Sequence, residues 1–346
     1  MKYQRQILFV LFGVFSTGLA LAQDPQFSQY YNAPLYLNPG FTGSTQHQRV
    51  AFNHRLQWPG LPQAFSTFAT SYDIYVDELS SGFGILATTD KMGSAGWRTT
   101  NVGLLYSFKV RLNDNLVFSP GLNFSYGVNG LDRTKLVLGD GLEFDGISLD
   151  PELARIGNKS YFDFSSGFIL YSRKTWVGAA FAHMNRPNLS IIEEVNRLPM
   201  KVTIQGGTRI NIGDHPTAGP NLNYITPSFI FRMQGPFTQL DVGLNYHIDP
   251  ISVGVWYRGK PFEKNVIGNL AQDALVFQFG FMFDNVQIGY SYDFTVSELE
   301  TASGGAHEIA LIFDFVTTIR KSNRSKGKLI PCPTFYERRS VFNRGR

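Results

Sequence analysis

Side-chain alternation constrains this chain more than any other feature. In the stretch VQIGYSYDFT, residues Val286, Ile288, Tyr290, Tyr292 and Phe294 share one parity. Gln287, Gly289, Ser291, Asp293 and Thr295 share the other. A β-strand sends successive side chains to opposite faces, so one face is apolar and the other wet. A soluble sandwich would turn the apolar face inward; a membrane barrel would turn it to lipid. Fourteen strand-like stretches follow Gly43: 46–57, 64–76, 81–90, 97–112, 115–129, 159–172, 175–184, 200–211, 223–234, 237–248, 251–259, 273–284, 286–295 and 306–316.

The polar parity separates the two arrangements. It carries Gly, Ser, Asn, Gln and scattered charges rather than the many Lys and Glu of a face in bulk water. Small polar residues suit a crowded, hydrated barrel interior. The apolar parity draws on 30 Phe and 16 Tyr, as a face against acyl chains requires. Connection lengths agree. DELS, ND, RK, DP and DN make tiny turns, with GDHPTAGPN the exception on that side. On the other side lie 130–158, 185–199, 260–272 and 296–305, with one short loop, GP. Outer-membrane barrels have short periplasmic turns, longer external loops and an even strand count. The expected fold is an all-β transmembrane antiparallel barrel of about 14 strands, with both termini periplasmic. No apolar stretch after residue 22 reaches the ~18 residues of a spanning helix.

The ends divide the chain further. Lys2 and Arg5, an apolar run and Ala20-Leu21-Ala22 read as a secretory signal peptide over 1–22. Residues 23–44 contain Pro25, Pro34 and Pro39, which argue against a helix or central strand. They are expected to form a periplasmic or plug segment ahead of a barrel over 45–318. The tail, 319–346, carries nine Lys/Arg and one Glu, against a body near −6. One cysteine, Cys332, excludes an intramolecular disulfide framework.

Four passages resemble the PorP/SprF family, outer-membrane proteins associated with the type IX secretion system of Bacteroidota. They are DPQFSQYYNAPLYLNPGFTG, VGAAFAHMNRPN, YSYDFTVSEL and GGAHEIALIFDF. The matching motif positions are Tyr30, Tyr31, Asn32, Asn38, Pro39, His183, Pro187, Tyr290, Tyr292, Asp293, His307 and Glu308. The family often has Ala where this chain has Gly40, and outer-membrane barrels often end on an aromatic residue, whereas here Phe315 is followed by a tail of about 30 residues. The resemblance implies a non-enzymatic outer-membrane partner of the secretion system. Such a partner binds, delivers or anchors exported surface proteins, gliding adhesins among them, through their C-terminal sorting domains. It also implies links to periplasmic secretion or gliding components. A pore or transporter for a small solute is the alternative function.

Candidate sites follow from loops and charge. Loops on a rigid scaffold commonly carry binding. Asp132, Asp140, Glu143, Asp145 and Asp150 in one long loop, with Ile191, Ile192 and Leu198 in another, are candidate cargo contacts. Arg320, Lys321, Arg324, Lys326, Lys328, Arg338 and Arg339 are candidates for docking to an acidic periplasmic partner or to the lumen. Their charge would suit nucleic acid, but the compartment would not. Asp241, Asp293, Asp314, Glu308, Arg209, Arg232 and Arg258 share the inward parity and are expected to form a lumen network. His183, His247 and His307 lack metal-ligand spacing, and no G-x-S-x-G turn appears. No cofactor, metal or catalytic group is expected.

Overall fold

The computed structural model describes residues 24–45, 48–61, 64–93, 96–131, 157–191, 195–212, 223–264, 270–296, 303–315 and 332. The expected signal peptide, the acidic loop residues 132–150, Ile192 and the tail cations lie outside them.

Among the described residues, sixteen strand segments make up the wall. They are β1 (Gln48–Gln57), β2 (Phe65–Val76), β3 (Ser81–Met92), β4 (Trp97–Phe108), β5 (Val110–Asn113), β6 (Leu116–Gly130), β7 (Lys159–Tyr171) and β8 (Thr175–Ala182). They continue as β9 (Lys201–Thr208), β10 (Ile210–Asn211), β11 (Tyr224–Gln234), β12 (Phe237–Ile248), β13 (Ile251–Lys264), β14 (Leu270–Phe283), β15 (Val286–Thr295) and β16 (Ala306–Phe315). Two of these are continuations: β5 extends β4 beyond Lys109, and β10 extends β9 beyond Arg209. The wall therefore has 14 staves, each antiparallel to its neighbours. Pairing of β1 with β16 closes it, so no edge is left in lipid.

Ile288, Tyr290 and Phe294 are exposed on the outer wall, while Gln287, Gly289, Ser291 and Asp293 are buried inside. Phe83, Leu104, Phe124, Phe162 and Phe277 extend the same apolar outer belt. Short turns use residues that tolerate a left-handed backbone: Asp284 has φ 46° between β14 and β15, and Gly235 has φ 57° between β11 and β12.

The inner wall is less uniformly polar than the alternation suggests. Trp176, Ile230, Trp256 and Val276 sit on the inward parity and are buried. They pack with Tyr30, Tyr31 and Phe41 of the N-terminal segment, which fills the lumen. That segment consists of three short helical turns, Tyr30–Asn32, Pro34–Leu37 and Pro39–Phe41.

Inward glycines make the room it needs. A Cβ on Gly82 would lie 2.3 Å from the Thr42 carbonyl oxygen. One on Gly121 would lie 2.4 Å from the Pro39 carbonyl. Both neighbours are backbone, which cannot rotate away. Gly121→Ala should therefore destabilise the barrel by about 1–3 kcal/mol through overpacking. Gly157→Ala, with nothing within 4 Å of the added carbon, should be near neutral. Melting curves of the two variants in one detergent check this contrast.

Candidate functional site

The N-terminal plug is held at three levels. Nearest the short-turn rim, Gly43 N donates to Asp73 Oδ2 at 2.8 Å, and Arg49 pairs with Asp73 at 2.9 Å. Lys109 Nζ turns inward at the break between β4 and β5. It donates to the carbonyls of Gly40 and Thr42 at 3.3 and 2.9 Å, and to Ser119 Oγ at 2.8 Å. The buried ammonium thus holds the last turn of the plug, whose Gly40 and Thr42 carbonyls also accept from Ser119 Oγ and Ser107 Oγ at 2.7 and 2.6 Å. Asn38 Nδ2 donates to the carbonyls of Phe168 and Ala179 at 3.1 and 3.0 Å.

The middle level is an ion network around Ser28. Asp293 Oδ2 accepts from Arg55 Nη2, Arg258 Nη1 and Ser28 Oγ, each at 2.7 Å. Both arginines also donate to Ser28 Oγ, at 2.7 and 2.9 Å. Glu308 accepts the plug's Ser28 and Gln29 amides at 2.6 and 2.9 Å. Arg258 and Arg232 then pair with Asp241 at 3.2 and 2.7 Å. Opposite charges and hydrogen bonds together make this burial tolerable, because a lone buried charge would cost several kcal/mol.

Beside the network is an aromatic seat. Trp176, Gly207, Ser228, Gly243 and Trp256 face one another in a single row across β8, β9, β11, β12 and β13. The two glycines let the indoles lie flat: a Cβ on Gly207 would meet Trp176 at 2.5 Å, and one on Gly243 would meet Trp256 at 2.2 Å. Tyr30 of the plug packs edge-on to Trp256 with centroids 5.0 Å apart. Its burial is therefore aromatic as well as polar.

The third level lies at the long-loop rim. Asp24 Oδ2 is 2.7 Å from both His183 Nε2 and Lys201 Nζ, and Asp24 N donates to Gln234 Oε1 at 3.1 Å. His183 Nδ1 is 2.9 Å from Asp163. Asn185, two residues on, pins the end of β7: its side chain bonds Phe164 N at 3.1 Å and the Phe162 carbonyl at 2.7 Å. The described chain therefore begins near the long-loop rim. The connection lengths predict both ends at the short-turn rim; Asp24 lies instead at the opposite one. The plug runs the length of the lumen before entering β1.

The family-motif residues sort by parity. Tyr30, Tyr31, Asn32, Asn38 and Pro39 belong to the plug; Asp293 and Glu308 receive it; His183 latches it. Tyr290, Tyr292 and His307 lie on the outer wall instead, with Tyr290 Oη 2.9 Å from His307 Nδ1. Pro187 accepts the Leu198 amide at 2.9 Å, folding their loop back on itself. Leu198 is buried by that fold and offers no free side chain to a ligand, whereas Ile191 is half-buried. Among the inward charges, Arg209 stacks 4.4 Å over Tyr224, and Asp314 faces Arg49 across the β1–β16 ladder. Cys332 is buried in the cluster with Val117, Ile169 and Tyr171. It occupies the short-turn end of the lumen. Arg55 and Lys109 were missed as plug contacts. Both were readable as inward cations, but their partners become visible only once β1 meets β16 and the plug is in place.

A 14-stave barrel with a lipid-facing aromatic wall and a plugged lumen is an outer-membrane protein of Gram-negative type. The chain belongs to the type IX secretion system membrane protein PorP/SprF family, whose family model matches residues 20–313. No curated protein matches it significantly. Among solved structures, the P. putida toluene transporter TodX is 12% identical, covering 83% of this chain and 94% of its own, at TM-score 0.48. The monoaromatic hydrocarbon channel CymD is 13% identical over 84% and 94%, at 0.42. A mutant Rh. blastica porin is 10% identical over 78% and 99%, at 0.33.

The rim latch has a pH signature. His183 lies just beyond β8. Burial opposes its charge, but Asp24 and Asp163 outweigh that and push its pKa up to about 9. A raised folded pKa contributes stability that is complete below the unfolded value of about 6.5 and is lost as pH rises through about 9. The melting temperature of the protein should therefore fall between those pH values. His183→Gln should remove most of that slope; an unchanged slope would assign it elsewhere.

Proposed function

We propose that this barrel is a non-enzymatic type IX secretion component that holds exported surface proteins at its long-loop face. The plugged lumen is the observation that carries this reading. A wall whose inner charges are tied to its own N-terminal segment is built to stay closed, and a solute path needs open, weakly held polar groups. The family membership supports a role in secretion. The loops at 130–158 and 185–199 are the surfaces we assign to cargo, with the acidic set Asp132, Asp140, Glu143, Asp145 and Asp150 as the recognition charge. Cargo would be an adhesin-like surface protein presenting its C-terminal sorting domain. The cations of 319–346 would meet periplasmic secretion or gliding components from the short-turn side, near the point where Cys332 is anchored.

Two measurements test this. Reconstituted in planar bilayers, the full chain should pass no steady current, whereas sustained conductance would favour the solute-pore alternative. In a native host, removing residues 139–147 should lower the amount of surface protein retained while leaving the barrel's melting temperature unchanged. Normal retention with an intact barrel would rule that loop out.

A further inference from the structure

Charge meets charge across the described ladders in a consistent way. Arg49 faces Asp73 and Asp314, Arg55 faces Glu308, and Asp241 faces Arg258. Every one of these pairs is opposite in sign and inward. Lys91 of β3 and Arg98 of β4 break the pattern by facing each other with the same sign. Both are exposed and share the outward parity of Phe83 and Ile85 on β3 and of Leu104 and Tyr106 on β4. Like charges directly opposite on neighbouring strands destabilise a ladder. Among the described residues, neither cation has an acidic partner.

Their surroundings are those of an anion site. Ser66 of β2 faces Lys91, and His54 Nε2 is 3.1 Å from Ser66 Oγ. One row below, the hydroxyls of Thr89 and Thr100 are 3.3 Å apart. Two cations, an imidazole and hydroxyl donors thus converge with no carboxylate between them among the described residues. A guanidinium takes phosphate bidentately, and an ammonium adds a point charge.

Height on the barrel identifies the occupant. Phe83 to Lys91 climbs the strand by roughly 27 Å, or about 20 Å along the axis at a tilt near 40°. That carries Lys91 and Arg98 to the upper edge of an apolar band about 25 Å tall, at headgroup level beside the long loops. We propose that Lys91 and Arg98, with Ser66 and His54, form a site on the outer wall for the phosphorylated headgroup of an outer-leaflet glycolipid. The anion neutralises the facing cations, and its acyl chains lie along Ile85, Phe83 and Leu104. The site rests on the long-loop rim facing outward and is independent of what the loops themselves bind.

The test uses the full chain in phosphatidylcholine nanodiscs, with or without a diphosphorylated glycolipid or its dephosphorylated form. The phosphorylated lipid should be retained in native mass spectra and raise the melting temperature; the dephosphorylated form should do neither. Lys91→Gln and Arg98→Gln should each weaken retention roughly fivefold, as expected for one cation at a lipid surface. Arg98→Glu should leave the barrel as stable as the parent or more so in neutral detergent, because it relieves the facing charges, yet abolish the lipid-dependent shift. That opposed response separates headgroup recognition from damage to the fold. Equal retention of both lipids, or an undiminished shift in Arg98→Glu, overturns the proposal. It is also overturned if inorganic phosphate alone reproduces the whole shift, since the site would then serve a free anion.

Discussion

Asp293 sits where the wall and the plug are tied together. Its Oδ2 is reached by two arginines from different strands and by the hydroxyl of Ser28. Each group has a reason to be buried only because the others are present. Without the plug, Glu308 would lose both amide donors, at Ser28 and Gln29, and the arginines would lose the Ser28 hydroxyl. An unsatisfied group in a low-dielectric interior costs more than the bond it loses. Wall and plug are therefore one folding unit, in which the lumen is a polar core.

This dependence explains why the family-like passages are scattered along the sequence. Ser28 comes from the first, His183 from the second, Asp293 from the third and Glu308 from the fourth. They converge on the plug, so the motif residues that face inward mark how the barrel is closed. The aromatic seat for Tyr30 follows the same logic, with two glycines making room for two indoles, one of which, Trp256, packs edge-on to the plug ring.

Much of the fold was legible because a strand's two faces are written in alternate residues. The stretches at 81–90, 237–248 and 286–295 correspond to β3, β12 and β15 within a few residues. Where β13 and β14 run longer than expected, register shifts at Arg258/Gly259 and Lys260/Lys264 interrupt the alternation that marks strand ends. Reading one parity as wholly apolar and outward hid Trp176 and Trp256, which stand on the polar parity beside glycines. The path of the plug was not legible, since three short turns between prolines carry no periodicity. The direction of that path follows from contacts such as Asp24 with His183, 159 residues apart, which no local pattern encodes.

The most direct test is amide hydrogen exchange of residues 27–43 in the folded, detergent-solubilised protein. The amides of Ser28, Gln29, Asn32, Asn38, Phe41 and Gly43 are all bonded within the lumen. They should exchange as slowly as the amides of β1 and β16. Exchange of this segment within seconds, beside protected strands, would show that the plug does not occupy the lumen and would contradict the account.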